Sequence, residues 1–157
     1  MEYRYDSKHR EYMKLALLEA EKAFAEGEIP VGAVLVKDGA VIACGRNNRE
    51  TKKNVCGHAE INAIAAASEQ LGDWRLGGCS LYVTMEPCPM CMGAIIQSRI
   101  SSLFYGCDDP ESGSCRSVIN ISASGISLGK LEIYDGILRE ESAEIVKRHF
   151  KRLRSMV

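Results

Sequence analysis

No stretch of the sequence approaches the roughly 20 consecutive apolar residues that a helix needs to cross a membrane. The opening residues, Met1-Glu2-Tyr3-Arg4-Tyr5-Asp6, have no apolar core behind a basic flank. They do not read as a secretory signal, and a cytoplasmic location is expected. Proline is scarce, with four in 157 residues. There is no proline-rich linker, internal repeat or low-complexity stretch, so residues 1–157 are expected to form one domain. Charge is balanced, because 20 basic and 21 acidic residues leave a net charge of −1. Non-specific nucleic-acid binders are usually basic, so any such contact must come from a local patch. Cysteines number seven, and an odd count without a secretion signal argues against a disulfide framework. Only Cys88 and Cys91 have metal spacing. Cys44, Cys79, Cys107 and Cys115 fall singly and read as small buried hydrophobes or spectator thiols.

Hydrophobic periodicity divides the rest into elements. Met13, Leu17, Ala20 and Phe24 recur at helical spacing over residues 7–26, with Asp6 or Ser7 as cap and Gly27 as stop. Residues 31–37 and 40–45 read as strands joined by the hairpin signal Asp38-Gly39. A polar loop over 46–57 precedes an alanine-rich helix over 58–71. A strand is expected over 79–84, a helix from Pro89 to about Ser98, and a short strand over 102–106. Residues 107–129 are rich in Ser, Gly and Asp, with one apolar run at Val118 to Ile121, and read as a long loop with one helical turn. A last strand over 131–134 and a helix over 140–154 complete an α/β sandwich around one mixed sheet.

Two segments carry the chemistry: His58-Ala59-Glu60 and Pro87-Cys88-Pro89-Met90-Cys91. Cys88 and Cys91 are i and i+3 at a helix start, so both thiols can face one point. Pro89 disfavours helical geometry at Cys88, which places Cys88 at the cap and Pro89 at the first helical position. A helix N-terminus favours the thiolate that a metal needs. Two thiolates and the His58 imidazole make three ligands. The fourth tetrahedral position is left for water, as in a catalytic zinc site. His58 and Glu60, two apart, do not share a face inside a regular helix. At a helix start His58 can ligate while Glu60 reaches the water as a proton shuttle. Alone, Cys-x-x-Cys also fits a redox pair or half of a structural zinc site, and His-x-Glu also fits a cap with a solvated acid. A closed structural site needs a fourth ligand. His9 and His149 lie far away in sequence, and Cys56, two residues before His58, is the one candidate.

The pattern H-x-E with P-C-x-x-C marks zinc deaminases of cytosine and adenine. The chain resembles this cytidine deaminase-like superfamily. Within it the chain looks like the bacterial tRNA-specific adenosine deaminases, from about Tyr12 to Arg154. Ile29-Pro30-Val31-Gly32-Ala33-Val34-Leu35-Val36, Gly57-His58-Ala59-Glu60-Ile61-Asn62-Ala63-Ile64 and the run from Leu81 to Ile95 carry the match, with Ser98-Arg99-Ile100, Tyr105-Gly106 and Asp109 behind them. The resemblance implies a three-layer α-β-α sandwich with a five-stranded mixed sheet, and a homodimer. It implies one zinc ion per subunit, held by His58, Cys88 and Cys91, with Glu60 as the catalytic proton carrier. It implies that Asn47 hydrogen-bonds the target base. Pro30, Val31 and the backbones of Ala59 and Glu86 would line the pocket. Three departures stand out. Ser127-Leu128-Gly129-Lys130 lies where tRNA-acting members often carry Asn-His-Arg. The loop 107–125 lacks the usual glycine-rich run after Ser112-Gly113. Cys56 replaces a residue that is often small or apolar.

The expected substrate is the wobble adenosine of a tRNA anticodon loop, converted to inosine. The run Lys147, Arg148, Lys151, Arg152 and Arg154 is read as a possible phosphate patch. The acids Glu140, Glu141 and Glu144 lead the same helix, so simple complementation of the helix dipole explains the run as well. Asp109 matches a position near nucleic acid in the tRNA enzymes, although a loop aspartate is commonly a turn residue. A deaminase of a free base or nucleoside is the alternative and shares the zinc site. A non-catalytic zinc module is the third reading, and a retained Glu60 argues against it.

Overall fold

The computed structural model describes residues 5–126 and 129–157. Residues 1–4, and Ser127 and Leu128 of the departing segment 127–130, lie outside the described residues. Helix α1 (Ser7–Ala25) starts where the Asp6 side chain accepts the His9 backbone N–H at 3.0 Å. After it come β1 (Gly32–Lys37), β2 (Ala40–Arg46), the short α2 (Arg49–Lys52) and α3 (Ala59–Leu71). Then come β3 (Ser80–Met85), α4 (Pro89–Gln97), β4 (Ser102–Cys107), a 3₁₀ turn at Ile121–Ala123, β5 (Glu132–Asp135) and α5 (Arg139–Ser155). Asp38 and Gly39 both take positive φ, 50° and 76°, the geometry a tight hairpin turn requires.

The five strands run β2-β1-β3-β4-β5. β1 is antiparallel to β2 and β3, while β3, β4 and β5 are parallel. The sheet is therefore mixed, as the resemblance implies. Strand alternation sorts the core onto two faces. Ala33, Leu35, Leu81, Val83, Leu103 and Tyr105 pack with α3 and α4. Val34, Val36, Tyr82 and Phe104 pack with Met13 and Ala16 of α1. Helix α5 lies on β4 and against α1. Helices on both faces make three layers.

One local expectation needs correction. Residues 46–57 are not all loop, because residues 49–52 wind into α2, which ends at Lys53 with φ 52°. The long loop carries one helical turn, as expected, at the end of the apolar run Val118 to Ile121. The Asn120 side chain accepts the Ala123 N–H and fixes the turn at Ile121–Ala123, and Val118 and Ile119 remain exposed. A side-chain cap, not apolarity, decides where this turn forms.

The sheet meets α3 closely at Gly45. A Cβ there would lie 2.3 Å from the Ala59 carbonyl oxygen and 2.5 Å from the Ala63 nitrogen. Both atoms are backbone of α3 and cannot rotate away. Gly45→Ala is therefore expected to lower stability by roughly 1–3 kcal/mol, read as a lower urea midpoint with an unchanged m-value.

Candidate active site and metal centre

Two helix N-termini converge beyond the carboxyl ends of β3 and β4, where open parallel sheets commonly bind ligands. His58 caps α3 in extended geometry, with φ −94° and ψ 152°. Cys88 caps α4 with φ −74° and ψ 171°, and Pro89 occupies the first turn. The proline keeps Cys88 out of the helix, so its thiol and that of Cys91 turn to the same side. The His58 Nδ1 atom lies 3.6 Å from Cys88 Sγ and 3.5 Å from Cys91 Sγ. These three side chains form the one group of three or more His, Cys, Asp or Glu, among the described residues, that could hold a metal ion. Cys56 is exposed and stands outside it.

Hydrogen bonds from Cys91 and His58 outweigh burial and hold the Cys88 thiol down to about 4. The Cys88 thiolate in turn, with burial, pushes the Cys91 thiol up. It also raises His58 against burial. A cluster that already favours a thiolate is matched to a cation. Glu60 sits in the first turn of α3, only 4% exposed. Burial pushes its carboxyl above the ordinary range, which suits a group that must both accept and return a proton.

These groups open into a cavity of about 500 Å³. Val31, Asn47, Ala59, Glu60 and Glu86 line it, together with Ile29. Pro30 is buried and is not among the lining residues. Asn47 is 6% exposed; its Nδ2 donates to the Ile29 carbonyl at 3.1 Å and its Oδ1 accepts the Arg49 N–H at 3.2 Å. One amide proton and one lone pair stay available for a ligand. Asp109 lines the cavity while its carboxylate accepts the N–H groups of Glu111 and Ser112 at 3.0 and 3.2 Å.

Of the basic run on α5, Lys147 lines the cavity. Arg148 instead pairs with Glu21 at 2.8 Å, and Arg152 donates to the Phe24 carbonyl at 2.9 Å. Both guanidiniums stack on the Phe24 ring, at 4.6 and 4.0 Å from its centre, and so fasten α5 to α1. Lys151 is exposed and is not among the lining residues.

A family model for MafB19-like deaminases matches residues 7–154. The chain belongs to the MafB19-like deaminase family. It is 43% identical over 143 residues to the tRNA-specific adenosine deaminase of Bacillus subtilis, covering 91% of this chain and 89% of that one. The fold is similar to a solved tRNA:A34 deaminase that carries out A-to-I editing at the wobble position of transfer RNA. That match has a TM-score of 0.83 at 44% identity and covers 86% of this chain and 98% of the other. It is also similar to a guanine deaminase from Bacillus subtilis, with a TM-score of 0.61 and 44% identity over 64% of each chain.

In this deaminase the walls of the cavity depend on two buried acids whose side-chain roles are invisible in the sequence. The Glu28 carboxylate accepts the N–H groups of Glu50 and Thr51 and the Thr51 hydroxyl, at 3.3, 2.6 and 2.8 Å, and so holds α2. Helix α2 brings Arg49 to the cavity. Glu86, 3% exposed, accepts the N–H groups of Asp109, Cys115, Arg116 and Ser117, and the Ser117 hydroxyl. Burial opposes its charge, but these hydrogen bonds outweigh burial and hold its carboxyl below the ordinary range. Phe150 of α5 also lines the cavity. Its sequence signal was a helical position next to His149 and nothing more. Asn62 adds a brace, donating to the Arg46 carbonyl at 2.8 Å and to Asn48 Oδ1 at 3.0 Å, which ties α3 to the loop after β2.

Cys88→Ala removes the thiolate and one of the three candidate ligands. It is expected to cut bound divalent metal from about one per chain to near zero while the far-ultraviolet circular dichroism stays native. Elemental analysis after gel filtration checks this.

Proposed function

We propose that the chain, as one domain over residues 1–157, is a zinc-dependent hydrolytic deaminase that converts the wobble adenosine of a tRNA anticodon loop to inosine. The observation that carries the metal is spacing. Zinc–sulfur bonds of about 2.3 Å and zinc–nitrogen bonds of about 2.0–2.1 Å at tetrahedral angles set N and S about 3.5–3.6 Å apart. His58 Nδ1 stands 3.6 and 3.5 Å from the two sulfurs. His58, Cys88 and Cys91 thus fit one zinc ion per subunit, with a fourth position open. Zinc bound there supplies the Lewis acidity that makes water acidic near neutral pH.

Glu60 removes a proton from the attacking water as its oxygen adds to C6 of the base. It passes that proton to the adjacent ring nitrogen and then moves the proton of the new C6 hydroxyl to the amino group, so the C6–N bond breaks, ammonia leaves and the C6 carbonyl of inosine remains. Asn47 holds the base through its remaining donor and acceptor. Val31 and the backbones of Ala59 and Glu86 bound the ring, with Ile29 taking the place expected of Pro30. Lys147 and Arg49 offer positive charge to the phosphates of a splayed loop, and Phe150 offers a stacking surface. Asp109 shapes the lip that meets the nucleic acid.

The names of the relatives support the tRNA reading, and a cytoplasmic location accords with such a substrate. A homodimer is the expected assembly. The likeness to a guanine deaminase keeps a second reading alive: turnover of a free purine on the same zinc chemistry. Both readings need Glu60, which a non-catalytic zinc module does not.

Zinc-loaded protein is expected to convert an anticodon stem-loop with adenosine at the wobble position and to leave free bases and nucleosides untouched. Ammonia release reads both. Turnover of guanine with an intact stem-loop would replace the first reading by the second. Glu60→Ala is expected to keep its zinc and lose turnover by roughly 10²–10⁴-fold.

A further inference from the structure

The wall of the cavity formed by residues 108–112 has no sheet or helix of its own. The Asp108 carboxylate accepts from Arg139 at 2.7 Å and from Arg116 at 3.0 Å, and the rest of the wall is held by the segment between β3 and α4. The Glu86 N–H donates to the Cys107 carbonyl at 2.9 Å, which extends the β3–β4 pairing by one step. The Pro87 carbonyl accepts the Ser114 N–H at 3.0 Å and the Ser114 hydroxyl at 2.7 Å. Between them the Glu86 carboxylate is wrapped by the loop. Its Oε1 accepts Cys115, Arg116 and Ser117 N–H at 3.1, 2.8 and 3.0 Å. Its Oε2 accepts the Asp109 N–H at 3.0 Å and the Ser117 hydroxyl. Gly113 closes against the same oxygen, and a Cβ there would lie 2.3 Å from Oε2 and 2.5 Å from the Asp109 carbonyl. The next link outward is Asp109, whose carboxylate caps the turn through Glu111 and Ser112.

Most of these links are loop donors on acceptors of Glu86 and Pro87, the two residues before Cys88. The wall is therefore indexed to the metal ligands and not to the body of the loop. We propose that Glu86 is a positioning residue: its side chain sets the substrate-facing wall at residues 108–112 against the metal centre and thereby determines substrate affinity, leaving the chemical step to Glu60. This rests on the deaminase reading, but not on which base or nucleic acid is the substrate.

Replacement by glutamine discriminates. A glutamine keeps the shape but has one acceptor oxygen and one NH2 group. Turned to keep the three bonds at Oε1, it sets its NH2 against the Asp109 N–H. That is a donor facing a donor, and it releases the cavity wall in particular. Gly113→Ala reaches the same wall by another route, pushing on Oε2 and the Asp109 carbonyl without altering any titratable group.

Glu86→Gln and Gly113→Ala are compared with wild type, each zinc-loaded, in three measurements: metal content, steady-state kinetics and amide hydrogen exchange over residues 109–117. We expect metal content to stay at wild type, KM to rise by about tenfold or more and kcat to stay within about threefold in both variants. Exchange should accelerate at 109–117 and not in α3 or α4. Faster exchange with unchanged KM would overturn the proposal, because the loop would then be anchored without bearing on substrate. A fall in kcat or metal content at unchanged KM would also overturn it, since Glu86 would then act on the metal centre. If wild type ignores the stem-loop and turns over a free base, the tRNA reading fails on its own. KM is then read on that base by the same criteria.

Discussion

The parallel pairing of β3 with β4 is the constraint on which the site depends. The register runs from Ser80 opposite Ser102 to Met85 opposite Cys107. Both strands end together, and the segments leaving them are forced into the same space. After β3 come Glu86, Pro87 and the capping Cys88; after β4 comes the loop from Asp108 onward. The right-handed crossover typical of such units requires a helix between them, and α4 is that helix. Its N-terminus therefore points back at the strand ends. β1, antiparallel to β3, brings Ile29 and Val31 to the same edge from the other side, and the end of β2 beside it brings Asn47. One pairing thus delivers Cys88 and Cys91, a wall and the floor of the cavity, while α3, seated on β1 and β2 with Gly45 beneath it, delivers His58 and Glu60.

Three glutamates are buried around this edge, and their surroundings divide their roles. A buried carboxylate is costly unless donors replace the lost water. Glu28 and Glu86 are supplied with backbone N–H groups, from α2 and from the loop after β4, so each is held ionised and each orders a segment. Glu60 has no such ring of donors, and burial raises its carboxyl. The same residue type is an anchor where N–H groups converge and keeps a raised carboxyl where they do not. Pushing neighbouring acids apart in proton affinity is how active sites assign such tasks.

How much of the site is legible in the sequence depends on how local each determinant is. Cys88 is legible as a cap because Pro89 acts on the residue before it. His58 and Glu60 are legible because their spacing makes chemical sense only at a helix start. The alternation in Val34-Leu35-Val36 and Leu81-Tyr82-Val83 announces two-sided strands. The roles of Glu28 and Glu86 are not legible, because each is defined by donors more than 20 residues away and an acidic residue before a loop looks solvated. The basic run on α5 misleads in part for a related reason. Arg148 and Arg152 read as a free patch, and only the Phe24 ring and the Glu21 carboxylate across the α1–α5 contact show that they are engaged. The short α2 is hidden because residues 46–57 are uniformly polar, and its partner is a buried acid before β1.

The same division between local and distant determinants governs how such a fold changes substrate. The ligands and Glu60 lie on regular elements whose positions are set by core packing, and core packing tolerates little movement. The two walls lie on the short α2 and on the loop after β4, and a buried carboxylate gathers the backbone N–H groups of each. A change of length or sequence in residues 46–57 or 107–117 can therefore reshape the cavity while the metal centre stays where β3 and β4 put it. Relatives alike in fold but named for adenosine in tRNA and for guanine fit that separation. Specificity then resides in how the loops hang from Glu28 and Glu86, and the strand register keeps the reactive groups in one place whatever the loops admit.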